Sequence, residues 1–497
     1  MLKRLIPALL ALAAVLAWTA PALAHGRSGE ADARFAQTIA GMELTVVVRA
    51  SLQVPAPLQV DVVAHDAGRG GRVELTLRSA GTGRSSSGAV EVREGGPGMY
   101  PVVLRAERVG PHELEVRAGG ERSVLPFDLL VPGAPLWEVV VYAAFACAAV
   151  ALTGALAGAA LSRRGTAGAC TVAFVVATAV AFTAGGLSPW FAPPVPDGAP
   201  AVTEREQLLG RPNAQPLVEV EPERPGAYGE FRLRVTLFDG ATGRPADDLA
   251  EHHGALSHVV VTSQDGTYFR HVHPTRVAPG VHEVRLRAGE AGRHLVYAEF
   301  ERAGAGGQLV SGEFTVGRSA ASTAGRPGDV QAEQPGDVTA GRSGDVTAGR
   351  SGDVQAGEPG DVTAGRRGDQ EEASGSRPAR TGQRPVVEPA RPVAGRPVTL
   401  TLDTGLASVQ PWLGMAGHLI VRSQDGGYLG HVHEAASMAT TAERPPDESV
   451  ARYGPRLSFT FSFPRPGRYL AWIQYARNYE IVTVPYVIEA AAEGSAR

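Results

Sequence analysis

Two stretches decide the fold of this chain: HVVVTSQDGTYFRHVH at residues 258–273 and HLIVRSQDGGYLGHVH at residues 418–433. In each, a run of β-branched and aliphatic residues leads into a Gln-Asp-Gly turn and a second short strand-like run, which is typical of a β-hairpin. The second stretch keeps the histidines and the Ser-Gln-Asp-Gly turn of the first in register. The repetition within one chain therefore predicts two related β-domains.

Strand periodicity brings the histidines of each hairpin together. Side chains two residues apart on a strand share one face, so His271 and His273 lie side by side. The antiparallel partner strand places His258 across from them. Three imidazoles therefore converge at one end of the hairpin, and neutral imidazole is a ligand for copper, zinc and nickel.

We therefore predict two metal sites, a first one at His258, His271 and His273 and a weaker one at His418, His431 and His433. Copper is the favoured ion, because Cu²⁺ stands at the top of the divalent affinity order and Met415 and Met438 flank the second site. Zinc is the alternative. Glu434 is adjacent to the second site. Two further interpretations stay open, since these histidines could instead cap strand ends or sense pH.

The soluble sequence falls into three blocks of roughly 100 residues each, 25–133, 212–317 and 393–492. All three alternate apolar and polar residues with a period of two, as in Val73, Leu75 of the first block. Such runs between Gly- and Pro-rich turns predict immunoglobulin-like antiparallel β-sandwiches with one buried face per sheet.

The three blocks also share a hairpin in which a glycine turn precedes an aromatic ring. His112, His294 and Tyr469 occupy the same position after this turn, two residues beyond a glycine. Because a tyrosine replaces histidine in the third block, we interpret these rings as packing residues and not as ligands. His282, which matches Tyr100, is interpreted in the same way.

The first half of the chain carries targeting and membrane signals. Residues 1–24 have the basic end, apolar run and Ala-Leu-Ala cleavage site of a secretory signal peptide. Two apolar runs, 137–161 and 167–187, are each long enough to span a bilayer. The intervening loop, 162–166, contains two arginines, which predicts that it faces the cytoplasm. The protein is thus expected to be a multi-pass cell-membrane protein with extracytoplasmic domains.

The membrane hairpin has two further features. Gly154 and Gly158 form a GxxxG motif, which either packs the two helices together or pairs two chains as a homodimer. Cys147 and Cys170 are the only cysteines, and their depths in the membrane differ too much for a disulfide. With no other cysteine, a Cys-based zinc site in the soluble domains is excluded.

A low-complexity linker separates the last two blocks. Residues 318–392 contain an octapeptide repeat with units such as GDVTAGRS, in which about one residue in eight is strongly apolar. Such a composition cannot bury a core against backbone entropy. The sequence therefore predicts a flexible tether.

Composition and motifs restrict the function classes. The formal net charge of −4 provides no basic field for nucleic acid. The chain has no P-loop, Gly-x-Ser-x-Gly or HExxH motif, so we do not expect an enzyme. One exception stays open: cleavage after Ala24 would make His25 the N-terminus, as in copper enzymes that use an N-terminal histidine. His65 and His112 are the candidates to complete such a site.

Residues 252–316 and 412–488 resemble bacterial extracytoplasmic domains with an HG-x-x-x-H…D…F-x-H-x-HP pattern, near the YtkA-like and CopC-like sandwiches. The second of them departs from the pattern, with Leu413 in place of His253 and Glu434 in place of Pro274. The resemblance implies metal handling and no defined reaction.

The expected function is therefore that of a membrane-anchored extracytoplasmic metal-binding protein in copper homeostasis or delivery. The alternative is a structural or protein-interaction module of the cell envelope, and the third hypothesis is the copper enzyme using His25. If strand-end rings are exposed, replacing His271 and His273 by Ala should abolish metal binding in the second block at little cost in stability. Removing His294 should destabilise the sandwich and leave metal uptake intact.

The predicted topology can be checked on intact cells. Protease added to spheroplasts should digest the segments before residue 137 and after residue 187, because only the loop with Arg163 and Arg164 would be inside. Cleavage is followed by immunoblotting with tags on each side. Protection of either flank would contradict the topology.

Overall fold

The computed structural model describes residues 33–49, 51, 53–131, 135–191, 197–198, 213–318, 377–378, 383–440 and 451–494. The predicted signal peptide, His25 and most of the predicted tether lie outside these residues. Over the described residues the chain is mainly β, with three antiparallel sandwiches and two apolar helices. The fold class predicted from the alternating sequence is confirmed.

The first sandwich contains two four-stranded sheets, ordered β1-β2-β3-β6 and β5-β4-β7-β8. Alternate residues such as Val73, Leu75 and Leu77 face the common core, as the period of two predicts. Its strands are β1 (Ala33–Ile39), β2 (Met42–Val48), β3 (Ala56–Asp66), β4 (Gly71–Ser79), β5 (Ser85–Val92), β6 (Gly98–Ala106), β7 (Gly110–Ala118) and β8 (Glu121–Leu129).

The membrane hairpin consists of α1 (Leu136–Ala160) and α2 (Arg164–Gly186), followed by a short 3₁₀ helix, Ser188–Trp190. Both long helices are apolar and long enough to cross a membrane. The second begins at Arg164, three residues before its predicted start, so the connecting loop is shorter than predicted. A Cβ added to Gly154 would lie 2.8 Å from the Cys170 sulfur. The GxxxG motif therefore packs the two helices of one chain together.

The second sandwich pairs a sheet ordered β14-β15-β10-β9 with one ordered β11-β16-β12-β13, in which β17 also pairs with β16. Its strands are β9 (Ala214–Glu221), β10 (Glu230–Asp239), β11 (Leu249–Ala250), β12 (His258–Ser263), β13 (Phe269–Val272), β14 (Thr275–Ala278), β15 (Val281–Arg287), β16 (Gly292–Arg302) and β17 (Gly306–Val316).

The third sandwich pairs a sheet ordered β18-β25-β24-β21-β22 with one ordered β19-β20-β23. The short strands Arg377–Pro378 and Val386–Glu388 pair with strands of this sandwich, so its sheets include residues before the predicted boundary at 393. Its elements are β18 (Arg377–Pro378), β19 (Val386–Glu388), β20 (Pro397–Asp403), β21 (His418–Ser423), β22 (Leu429–His433), α3 (Ala435–Thr440), β23 (Arg456–Ser462), β24 (Gly467–Arg477) and β25 (Glu480–Ala490).

The packing rings lie where the sequence places them. His112, His294 and Tyr469 pair with Ser79, Ser263 and Ser423 on the neighbouring strands, and all three rings are buried. Their equivalent register explains why one position accepts either histidine or tyrosine. His282 is also buried.

The second and third sandwiches pack against each other through the outer faces of their histidine-bearing sheets. A separate apolar cluster fills this junction and draws equivalent residues from the two domains: Val260, Phe269, Leu295 and Tyr297 from one, Ile420, Leu429, Leu470 and Trp472 from the other. The turn glycines are reciprocal as well, since Gly266 faces Leu470 and Gly426 faces Leu295. The junction is therefore a pseudo-twofold contact within one chain.

This junction corrects the prediction of one buried face per sheet. On β12, Val259 and Val261 point into their own sandwich core, whereas Val260 points into the junction. The whole strand is buried. An uninterrupted run such as Val-Val-Val is the pattern of a strand covered on both faces, so the signal was present in the sequence.

One buried cation breaks the symmetry of the junction. Arg422 donates hydrogen bonds to the hydroxyl of Thr262, its equivalent in the repeat, at 3.2 Å, and to the carbonyl oxygens of Ser263 and Gln264 at 2.8 and 2.6 Å. If both domains had arginine at this position, the two buried positive charges would repel. Because the second domain has Thr262 instead, the contact favours pairing of the two different domains over pairing of two identical ones.

The junction should contribute measurably to stability. Trp472 stacks on Phe269 with ring centroids 4.5 Å apart, so Trp472→Ala leaves a large cavity between the domains. We expect a loss of about 3–5 kcal/mol in the free energy of unfolding, measured by denaturant melts of the full-length protein in detergent. The control is Leu309→Ala, on an exposed position of β17. Equal stability of the two variants would contradict a packed junction.

Candidate metal centre

The six predicted ligands lie at one end of the junction between the second and third sandwiches. His258 begins β12 and shares the outward face of Val260, because side chains alternate along a strand. His271 lies on β13 and His273 directly follows it. His418, His431 and His433 occupy the equivalent positions on β21 and β22.

The first triad brings three ring nitrogens to one point. The Nδ1 atom of His258 lies 3.3 Å from Nε2 of His271 and 3.2 Å from Nε2 of His273. Nitrogens bound to one tetrahedral ion at about 2.0–2.1 Å are about 3.3 Å apart. The spacing of these atoms is therefore that of nitrogens around a shared ion.

The hydrogen bonds outside the triad fix which nitrogens carry protons. His258 Nε2–H donates to the carbonyl oxygen of His252 at 3.0 Å, and His271 Nδ1–H donates to Oε1 of Gln474 at 2.9 Å. His273 Nδ1–H donates to the carboxylate of Glu43. All three outer partners are acceptors, so in the neutral rings the inward nitrogens carry lone pairs. Three lone pairs facing one another repel unless a cation lies between them.

The second triad repeats this arrangement. His418 Nδ1 lies 3.1 Å from Nε2 of His431, and the outer nitrogens donate to the carbonyl oxygen of Trp412 and to Glu299 Oε2 at 3.1 and 2.8 Å. His433 Nε2 is buried and has no hydrogen-bond partner within the described residues. Candidate ligand atoms of each triad lie within 4.8 Å of one another.

The two triads form one cluster. The ring of His431 lies 5.3 Å from that of His271 and 5.6 Å from that of His258, distances similar to those within each triad. His253 adds a ring 3.9 Å from His433. The sequence predicted two sites in separate domains, whereas the structure places both at one shared junction.

Burial keeps several of these rings neutral. Desolvation, followed by the neighbouring imidazoles, lowers the pKa of His258, His271 and His418 well below the usual value for histidine. The pKa of Glu299 is also lowered: burial, the largest single effect, raises it, but the hydrogen bond from His431 and the electrostatic interactions with His431, His252 and His253 together outweigh burial. The cluster thus combines unprotonated nitrogens with a carboxylate, the protonation state that metal binding requires.

The first sandwich closes one side of the cluster. The backbone N–H of Thr38 donates to the carbonyl oxygen of His273 at 2.7 Å, and the N–H of His273 donates to the Thr38 hydroxyl at 2.9 Å. Glu43, on the neighbouring β2, orients the His273 ring. Carboxylate–histidine pairs of this kind orient metal ligands and raise their basicity.

Burial corrects one expectation from the sequence. His258, His271 and His273 are 2%, 8% and 0% exposed, so they are not exposed strand-end rings. Replacing two of them would leave a cavity and unpaired polar groups between domains, at a substantial cost in stability. The contrast predicted between these residues and the buried His294 therefore does not hold for stability.

Other flanking residues are engaged elsewhere. The carboxylate of Glu434 accepts hydrogen bonds from the backbone N–H groups of Ser437 and Ser458, and Met438 is exposed on α3. Sequence reasoning did not find Glu43, Glu299 or Gln474. Because they come from three different strands, no local spacing links them to the histidines.

Comparison with known proteins is consistent with the internal repeat. The model of a domain of unknown function (DUF8832) matches residues 218–319 and residues 385–492. These two ranges correspond to the second and third sandwiches. The description of this family assigns no activity, and no curated protein matches the chain.

Several solved structures are distantly similar to this chain. A tetra-tandem repeat from the extending region of a large adhesion protein is 10% identical with a TM-score of 0.16, covering 88% of this chain and 72% of that one. The chicken CNTN1 FN1–FN3 domains are 6% identical, with a TM-score of 0.15 and coverages of 88% and 97%. Invasin, a bacterial integrin-binding protein, is 9% identical, with a TM-score of 0.16 and coverages of 90% and 58%. Similarity at this level concerns the class of fold and not what the chain binds.

The lowered pKa values give a prediction for pH. Unfolding lets each buried ring regain its ordinary pKa of about 6.5. The stability from neutral His258, His271 and His418 is therefore fully present above about pH 6.5 and is lost as the pH falls toward the lowered values. Between these two pKa values, each such ring lowers the free energy of unfolding by about 1.4 kcal/mol for every unit that the pH falls.

Thermal melts of the metal-free full-length protein at about pH 7.5 and pH 5.5 measure this slope. The variant with both His258→Gln and His418→Gln, which removes two titrating rings, should show a weaker dependence than the parent. A melting temperature that is the same at both pH values would contradict neutral buried imidazoles.

Proposed function

We propose that this chain is a membrane-anchored metal-binding protein of the cell envelope that holds copper at the junction of its two repeated domains. The two apolar helices form the anchor, and all three sandwiches lie outside the cytoplasm. His258, His271 and His273 bind one ion. His418, His431 and His433 bind a second ion next to it.

The observation that carries the proposal is the set of inward lone pairs in the first triad. If these histidines had only a structural role, we would expect each ring N–H to donate a hydrogen bond to a nitrogen of a neighbouring ring, because buried polar groups are normally hydrogen-bonded. Here every outward N–H of His258, His271 and His273 is used by an acceptor. Only a cation, such as a metal ion or a proton, stabilises the nitrogens that remain, and burial disfavours the proton on His258 and His271.

Copper is preferred over zinc for this centre. All six ligands are imidazoles, and Cu²⁺ binds such sites more tightly than the other divalent first-row ions. Zinc is the runner-up, because three histidines and an open position also suit it. The fixed outer partners Glu43, Glu299 and Gln474 favour tight holding, which fits copper homeostasis or delivery to a partner.

The second candidate is an interaction module of the envelope without metal. Three tandem sandwiches on a membrane anchor are an architecture that presents binding surfaces, and this observation favours it. The metal content of the purified protein distinguishes the two candidates, because only the metal-binding protein should contain bound ions. The copper enzyme using His25 stays a prediction, because His25 lies outside the described residues.

Metal stoichiometry tests the proposal. The full-length protein, purified in detergent and dialysed against copper, should contain two ions per chain by mass spectrometry of the metal. The double variant His271→Ala with His273→Ala should retain one ion, because it removes two of three ligands from a single triad. Competition with zinc in the same assay ranks the two metals.

The matched control is His294→Tyr, which installs the residue that the third domain has at the equivalent position. It should keep two ions, and its melting temperature reports whether the sandwich is intact. A parent protein that binds no copper or zinc would refute the proposed function and favour the interaction module. If His294→Tyr loses both ions although its fold is intact, the assignment of the six histidine ligands is incorrect.

A further inference from the structure

The two repeated domains present the same tight loop just before their first histidine, at residues 252–255 and 412–415. Each loop is closed by a reciprocal pair of backbone hydrogen bonds between its first and last residues. His253 and Leu413, the second residues, both have a positive φ, 48° and 53°. Since the backbones match, the loops differ only in their side chains.

The loop of the third domain is sealed. Trp412 and Leu413 are almost fully buried and pack in an apolar cluster that includes Ala36 of the first sandwich and Ile481. The Trp412 ring lies 4.9 Å from that of His418 and 5.5 Å from that of His271. On this side, apolar side chains and the first sandwich cover both triads.

The loop of the second domain is partly exposed at its first two residues, His252 and His253, whereas Gly254 and Ala255 are buried. The His252 side chain is 26% exposed, and its Nδ1 lies 3.0 Å from Oε2 of Glu301, which is 38% exposed. Glu299 lies two residues earlier on β16 and therefore on the same face as Glu301. Two carboxylates and an imidazole thus meet at the surface.

A continuous series of rings connects this surface to the buried triads. The ring centroids of His252 and His253 are 3.9 Å apart, and those of His253 and His433 are also 3.9 Å apart. His433 is 4.8 Å from His431, which in turn is 5.3 Å from His271. The rings therefore form an uninterrupted series of imidazoles from the partly exposed His252 to the buried triads.

The His253 ring lies between the surface and the triads. It is partly buried, and its centroid is 3.9 Å from the ring of His252 on one side and 3.9 Å from the ring of His433 on the other. The nearby Glu299 and Glu301 provide the negative charge that attracts a cation.

We propose that His252, His253 and Glu301 form a surface-facing entry site, which copper occupies only in transit to the two sites of the centre. An ion first binds between Glu301 and His252, is transferred through His253 to His433, and fills the triad of the third domain before the deeper triad of the second. The pseudo-twofold equivalent of this entrance is closed by Trp412 and Leu413. This inference rests on the proposed function.

The variant His253→Leu tests the entrance, because it installs the residue that the other repeat has at the same backbone geometry. Cu²⁺ is mixed with the metal-free full-length protein in detergent, and uptake is followed by quenching of tryptophan fluorescence, since Trp412 lies beside the triads. We expect uptake to slow by roughly tenfold or more, with two ions still bound at equilibrium. His253→Asn, which favours the same backbone conformation, provides a second variant if the first does not fold.

The variant Glu301→Gln tests the carboxylate and should also slow copper uptake. The control is Glu313→Gln, which changes an exposed glutamate of β17 that pairs with Arg293 and should leave the uptake rate unchanged. Uptake at the parent rate in His253→Leu and Glu301→Gln would overturn the entrance while leaving the proposed function intact. A fall to one bound ion in His253→Leu would make His253 a ligand of the inner centre and would also overturn it. A parent protein without bound copper would end both proposals.

Discussion

The structure depends on eight imidazoles that lose water at the junction of two domains. Six of them form the triads, and His252 and His253 join them. Removing a polar ring from water is costly unless it finds a partner, and five of the six triad rings, all but His433, are held by an acceptor on their outer side. Those acceptors come from all three sandwiches, and the arrangement of the domains therefore follows from the need to satisfy this cluster.

The junction resembles a symmetric dimer made within one chain. Equivalent residues such as Val260 and Ile420 meet across it, and the turn glycines contact the partner domain in a reciprocal way. Small departures from symmetry then give each half its own role. Arg422 faces Thr262, and Trp412 is buried whereas His252, at the equivalent position of the other loop, is partly exposed. Such departures are possible because the two halves belong to one chain and can diverge separately.

The first sandwich takes part in the histidine cluster as well as preceding the two apolar helices. It provides Glu43 to the ring of His273, and its strand β1 makes backbone hydrogen bonds to residues that flank the cluster. The apolar helices follow directly after this domain and precede the two that carry the ligands. An arrangement of this kind couples the geometry of the histidine cluster to the packing of domains that are distant in sequence, so a change in that packing would change the spacing of the ring nitrogens.

The sequence by itself determined the local structure. A period of two, glycine turns and an internal repeat were sufficient to predict three sandwiches, two apolar helices and the convergence of His258, His271 and His273, because hairpin geometry is set by neighbouring residues. Only the tertiary structure decided that the two triads meet and that Glu43, Glu299 and Gln474 orient the rings. Those contacts join strands far apart in the chain, and their formation depends on how whole faces fit together, which no spacing of residues encodes.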